Sequence, residues 1–189
     1  MRSSDAISEC NSAVHSIGAP SFNSPVTGTR KRSAGDSWRD AEWKPINLPE
    51  AAAGKLTILV LGFSRQGGQK TGLWAKHLSA DFATDPLFTS YTVAMLEDAP
   101  AMLRGMIRSG IRSGTPVSER DHVVTTASGE AAWKEFLHAA QKDIPYLVLL
   151  DSGGKVRWTG HGAFEQQQYE ALRIAVKTEE YRHGSEPRG

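Results

Sequence analysis

Asp143-Ile144-Pro145-Tyr146-Leu147-Val148-Leu149-Leu150-Asp151-Ser152-Gly153-Gly154-Lys155-Val156-Arg157-Trp158-Thr159-Gly160 is the stretch whose reading decides the fold. Tyr146 to Leu150 is an unbroken apolar run, opened by a proline and closed by an aspartate. A strand buried on both faces reads this way. Asp151-Ser152-Gly153-Gly154 is turn chemistry, since aspartate bonds its own backbone and glycine accepts positive φ without steric cost. Lys155 to Thr159 alternates, which predicts Val156 and Trp158 on one face and Arg157 and Thr159 on the other. The whole stretch predicts a β-hairpin. Pro145 opens a central strand, so it is expected to act through its backbone rather than its side chain.

Upstream of the hairpin, strands and helices alternate. Leu56 to Phe63 predicts a buried strand, Ser64 to Gln69 a loop, and Lys70 to Phe82 a helix turning Leu73, Trp74, Leu78 and Phe82 inward. Tyr91 to Leu96 predicts a second buried strand. Asp98-Ala99-Pro100 then caps a helix carrying Met102, Leu103, Met106 and Ile107. A short strand over Asp121–Thr126 and a helix from Ser128 to Ala140, with Trp133, Phe136 and Leu137 inward, complete the approach. Downstream, Glu165 to Lys177 predicts a closing helix with Tyr169, Leu172 and Val176 inward. Strands alternating with helices require a mostly parallel sheet.

The rest of the chain divides by composition. Residues 1–36 are rich in Ser, Gly, Pro, Asn and Thr, too poor in apolar side chains to offset the entropy of ordering, and are expected to be a disordered tail. Residues 37–54 are expected to enter as an arm, with Trp38, Trp43, Ile46 and Leu48 packing and Pro45 and Pro49 keeping it extended. The expected domain spans 55–178, with a frayed end over 179–189.

Charge and cysteine usage exclude whole classes of function. With 22 Lys+Arg against 21 Asp+Glu, the net charge is +1, which makes no electrostatic case for nucleic acid or an anionic membrane. No apolar run approaches the ~20 residues of a bilayer span. Cys10 is the single cysteine, so an intramolecular disulfide, a CxxC motif and a cysteine metal cluster are impossible. No phosphate-cradling loop, HExxH, GxSxG or zinc pattern occurs, and neither a metal nor a cofactor is expected. His77 and His138 read as solvated helix residues, and His161 lies between glycines without a nearby acid. Arg104, Arg108 and Arg112 recur at i, i+4, i+8 and would line one helix face.

A sheet ending in a hairpin followed by a helix resembles the thioredoxin fold over Lys55 to Val176. The fold class expected is therefore α/β, a central mixed sheet flanked by helices, with a disordered N-terminal extension. In that fold the first strand delivers a C-G-P-C-K segment at a helix N-terminus, and a cis-proline faces it. The resemblance lays these on Gln66-Gly67-Gly68-Gln69-Lys70 and on Pro145, with a cis Ile144–Pro145 bond. A helix N-terminus lowers a thiol's pKa and so makes the attacking thiolate. A glutamine carboxamide offers no such nucleophile. Dithiol exchange and loop-cysteine peroxidase chemistry are thereby excluded from the core.

A narrower resemblance covers Ile144 to Gly162 and Glu165 to Arg173. These resemble the thioredoxin-fold family that assists assembly of the ATP synthase membrane sector, chiefly through Arg157-Trp158-Thr159-Gly160-His161-Gly162. Arg104 to Glu119 is similar to it more weakly. The implied function is a redox-inactive, chaperone-like assembly protein that binds an extended peptide or a membrane-protein subunit. The expected setting is soluble and intracellular: a bacterial cytoplasm, or a mitochondrial matrix where the resemblance to the assembly factors is orthologous. The alternative is a cysteine-independent enzyme of the same superfamily that binds a small anionic or thiol ligand at the helix end. The candidate binding residues are Ser64, Arg65, Gln66, Gly67, Gly68, Gln69, Pro145, Tyr146 and Arg157, framing a groove floored by Phe63 and Tyr146. No catalytic residue is assigned.

Overall fold

A computed structural model describes residues 39–41 and 52–185. In chain order the elements are β1 (Arg39–Asp40), β2 (Leu56–Gly62), α1 (Arg65–Phe82), β3 (Phe88–Met95) and α2 (Ala101–Gly114). A 3-10 turn (Val117–His122), β4 (Val123–Thr126), α3 (Glu130–Phe136), β5 (Tyr146–Leu150), β6 (Val156–His161) and α4 (Gln166–Ser185) follow. The strands form a mixed six-stranded sheet in the order β1-β4-β3-β2-β5-β6. β2 runs parallel to β3 and β3 to β4, while β5 is antiparallel to both β2 and β6.

Every residue of β2 and of β5 is buried, as their unbroken apolar runs predict for central strands. The period of two then separates two cores. Leu59, Leu61, Tyr91, Val93, Tyr146 and Val148 point to the face covered by Trp133 of α3. Ile58, Val60, Leu147 and Leu149 point to the face covered by Trp74 and Leu78 of α1 and by Tyr169, Leu172 and Val176 of α4. Each such large apolar side chain contributes about 1.5–3 kcal/mol on burial.

The hairpin forms, but its facing differs from simple alternation. Leu149 pairs with Trp158 and Leu150 with Val156, which leaves Arg157 as an extra residue in a β-bulge. Val156 therefore joins the α3 face and Trp158 the α1/α4 face. Only one residue of slip is needed to reverse a side chain's face. Gly160 lies under Trp158, whose ring a Cβ at that position would strike.

Helix limits shift where caps override periodicity. α1 begins at Arg65, so the expected loop is instead an N-cap and first turn. The Ser64 hydroxyl accepts from the Gly67 N–H at 3.0 Å, which fixes the start. Gly67, Thr71, Trp74 and Leu78 form the buried stripe, and Leu73, expected inward, is 57% exposed. α3 stops at Phe136 rather than Ala140, because His138 turns left-handed at φ 47°. The expected strand 121–126 loses Asp121 and His122 to the 3-10 turn. α4 continues past Lys177 to Ser185, with Glu179 buried. α2 has no buried residue, and Met102, Leu103 and Met106, expected inward, are exposed.

β1 extends the sheet by pairing with β4, and the Ala41 N–H donates to Arg120 O at 3.3 Å. The tail, Cys10, Trp38, Trp43, Pro45, Ile46, Leu48, Pro49 and residues 186–189 lie outside the described residues.

Candidate functional site

β2 ends at Gly62 and hands the chain through Phe63 and Ser64 straight into α1. The handover is tight: a Cβ on Gly62 would lie 2.9 Å from Gly68 Cα. Ser64 joins two segments at this point. Its hydroxyl accepts from Gly67 N–H and donates to Asp143 Oδ1 at 2.7 Å. Lys70 Nζ donates to the Asp143 carbonyl at 2.9 Å, and Gly68 N–H to Ser64 O at 2.8 Å. A carboxylate beside the first turn of a helix complements the positive end of its dipole. Asp143 therefore already supplies the negative charge that this helix end favours.

The segment before β5 is pressed onto the same turn. A Cβ on Gly67 would meet Lys142 O at 2.8 Å and Ile144 O at 3.3 Å, both backbone atoms that cannot swing aside. Gly67→Ala is expected to lower stability by about 1–3 kcal/mol through overpacking. Gly68→Ala meets nothing within 4 Å and is expected to raise it by up to about 1 kcal/mol, as alanine replaces a helical glycine. Urea midpoints of the two variants moving in the same direction would contradict this packing.

The structure brings together all the candidate residues except Arg157. Arg65, Gln66 and Gln69 are exposed on the first turn of α1, Gly68 is half-buried, and Gly67 and Pro145 are buried. Pro145 offers its carbonyl to Gly162 N–H at 2.9 Å. No cis peptide bond occurs among the described residues, so Ile144–Pro145 is trans, contrary to the expectation from the resemblance. The trans form is the ground state of an X–Pro bond. The Pro145 carbonyl is fixed by the Gly162 bond, and the carbonyl before it, Ile144 O, lies against Gly67. Tyr146 is buried edge-on to Phe63 at 5.5 Å, and its hydroxyl donates to Gln141 O at 3.0 Å. The expected groove floor of Phe63 and Tyr146 is thus interior. Arg157 sits at the far end of β5, bound to Asp151 at 2.7 Å and to Glu179 at 3.4 Å.

A charged cluster that sequence reasoning missed adjoins this loop. Glu130, 2% exposed, accepts from the Glu97 and Asp98 N–H groups at 3.1 and 3.4 Å and pairs with Lys134 at 2.7 Å. Glu97 Oε2 accepts from Glu130 N–H at 2.7 Å, and Lys134 also reaches Asp98 at 2.7 Å. Lys134 Nζ lies 5.8 Å from the Phe63 ring centroid, within cation–π range. Its one sequence signal is the i,i+4 Glu130–Lys134 spacing, which looks the same on any solvated helix. His77, read as solvated, instead stacks on Phe164 at 4.1 Å, and His161 stacks on Tyr146 at 5.9 Å. No group of three or more potential metal ligands occurs among the described residues.

Comparison with solved structures finds this architecture elsewhere. The exposed lipoprotein thioredoxin Etrx1 of Streptococcus pneumoniae superposes with a TM-score of 0.52 at 13% identity, over 72% of this chain and 96% of that one. The fold is thioredoxin-like. A protein of Aquifex aeolicus VF5, provisionally assigned to electron transfer, gives a TM-score of 0.50 at 15% identity, over 76% and 94% of the two chains. No protein-family model and no curated relative matches the chain. Ser64 to Lys70 holds no thiol: it carries a hydroxyl, two glutamine amides, two glycines, an arginine and a lysine. No helix among the described residues is long and apolar enough to cross a membrane.

Proposed function

We propose that this protein is a redox-inactive thioredoxin-fold binding protein. Its partner is a protein segment, and its specific role is in assembly of the ATP synthase membrane sector. The observation that carries the reading is the Ser64–Asp143 contact at the start of α1. Where a reactive thiol would need the helix dipole and free amides, the Ser64 hydroxyl accepts the Gly67 amide and in turn donates to the Asp143 carboxylate beside the helix end. The same contact counts against the alternative of a small anionic ligand, since Asp143 fills that place with its own negative charge. The binding face is the exposed edge formed by Arg65, Gln66 and Gln69, whose side chains suit the backbone groups of an extended segment. The assembly role rests on the resemblance of Ile144 to Gly162 and of Glu165 to Arg173.

The test has two arms. With Cys10→Ser, insulin reduction by the full chain in the presence of a dithiol should stay at background, and turnover above it refutes redox inactivity. Purified ATP synthase membrane-sector subunits in detergent should be retained by the immobilised full chain. Retention should fall about tenfold with Gln69→Glu while thermal melting stays unchanged. Absence of retention refutes the assembly role. A rise in melting temperature with glutathione or phosphate would favour the small-ligand alternative.

A further inference from the structure

We infer that α2 is a labile element, built to open locally while the sheet stays folded. Three observations carry this. None of its residues is buried, and Met102 and Met106 are 88% and 67% exposed, whereas α1 and α4 each anchor on fully buried side chains. In globular proteins tertiary burial of an amphipathic face, more than propensity, holds a helix of this length together. Gly105, Gly110 and Gly114 have no steric reason to be glycine. None has positive φ, and a Cβ at each meets nothing within 4 Å. Each interior glycine lowers helix formation several-fold relative to alanine. The start is also weak: the N-cap is Pro100 with no side-chain cap bond, and the first turn carries no acid.

Both flanks, by contrast, are fastened. At the entrance the Glu130 carboxylate holds the Glu97 and Asp98 amides, and Arg104, in the first turn of α2, reaches back to donate to Glu97 O and Ala99 O at 2.9 and 3.0 Å, so that turn is fastened with the flank. At the exit Arg120 O receives Ala41 N–H, and His122 Nδ1 bonds Ser90 O at 2.9 Å. Opening is therefore confined to a strap between fixed ends. A ligand that recognises α2 as a helix must also supply the free energy of ordering it. This inference is independent of the proposed binding face on α1.

Hydrogen exchange on the full chain tests it. Peptides from 101–114 should exchange at least a hundredfold faster than those from β2, β3 and β5 under native conditions. Gly105→Ala with Gly110→Ala should slow exchange in α2 by about tenfold or more while leaving the strands unchanged. Brief trypsin treatment should make its first cut within 52–182 after Arg108 or Arg112. Protection of α2 equal to that of β2, no slowing in the double variant, or a first cut outside α2 would each overturn the inference.

Discussion

Trp74→Ala is expected to destabilise the protein by about 3–5 kcal/mol, the range for truncating a fully buried aromatic. Trp74 is 0% exposed and packs edge-on to Phe164 at 5.1 Å and against Tyr169 at 6.3 Å. It also carries a polar link: its indole Nε1 donates to Gly162 O at 3.1 Å and so ties α1 to the connection between β6 and α4. Truncation opens a cavity between the sheet and two helices and leaves that carbonyl unpaired. Against a total stability of about 5–15 kcal/mol, the variant lies close to unfolding. Trp74→Phe keeps most of the packing and loses the bond, so about 1–3 kcal/mol is expected. Urea unfolding followed by far-UV signal measures both, and a loss below about 1 kcal/mol for the alanine variant would contradict the placement of Trp74.

Glu130→Ala should cost a comparable amount, about 3–5 kcal/mol, as expected when a buried ion pair loses one partner. The Glu97 and Asp98 amides lose their acceptor, and Lys134 loses its more buried partner. Glu130→Gln retains an acceptor and should cost less. The cluster also sets a pH window. The Asp98 carboxyl lies below its ordinary 3.8, chiefly through the hydrogen bond from Lys134, so its stabilisation is present above that value and lost as pH falls through the depressed one. The Lys134 ammonium lies above its ordinary 10.5, chiefly through its bond to Asp98, so its stabilisation is complete below 10.5 and lost as pH rises through the raised value. The cluster's contribution should therefore be flat from about pH 4 to pH 10 and fall on either side. Lys134→Met should remove both slopes, and wild-type slopes persisting in that variant would assign them to other groups.

Sequence patterning reached the sheet further than the site. The apolar runs at Leu56 to Phe63 and Tyr146 to Leu150 correspond to β2 and β5, because burial on both faces leaves no room for polar residues. Helix ends were less legible: Ser64 is a strong cap, yet Gly67 and Gly68 after it read as a loop until their packing on Lys142, Ile144 and Gly62 is known. α2 has helical spacing of apolar residues without a core beneath it, and periodicity cannot distinguish those cases. The Ser64–Asp143 contact joins residues 79 positions apart, and Glu97 meets Glu130 across 33. Neither has a local signature. The resemblance to a thiol motif points to this turn, whereas the groups that meet there, Ser64 and Asp143, come together through the approach of the segment before β5.

The bulge at Arg157 has a consequence for how the protein behaves at high concentration. β6 is an outer strand, and an outer strand with an unbroken ladder is a template on which another copy can add. Here the ladder is broken after Val156, leaving only Trp158 to His161 in regular register, and the break carries a guanidinium held by Asp151 and Glu179. An incoming strand would meet a bend and a fixed charge where it needs a flat row of amides and carbonyls. The irregularity that spoils the alternation of the hairpin should also make β6 a poor template for the addition of another strand.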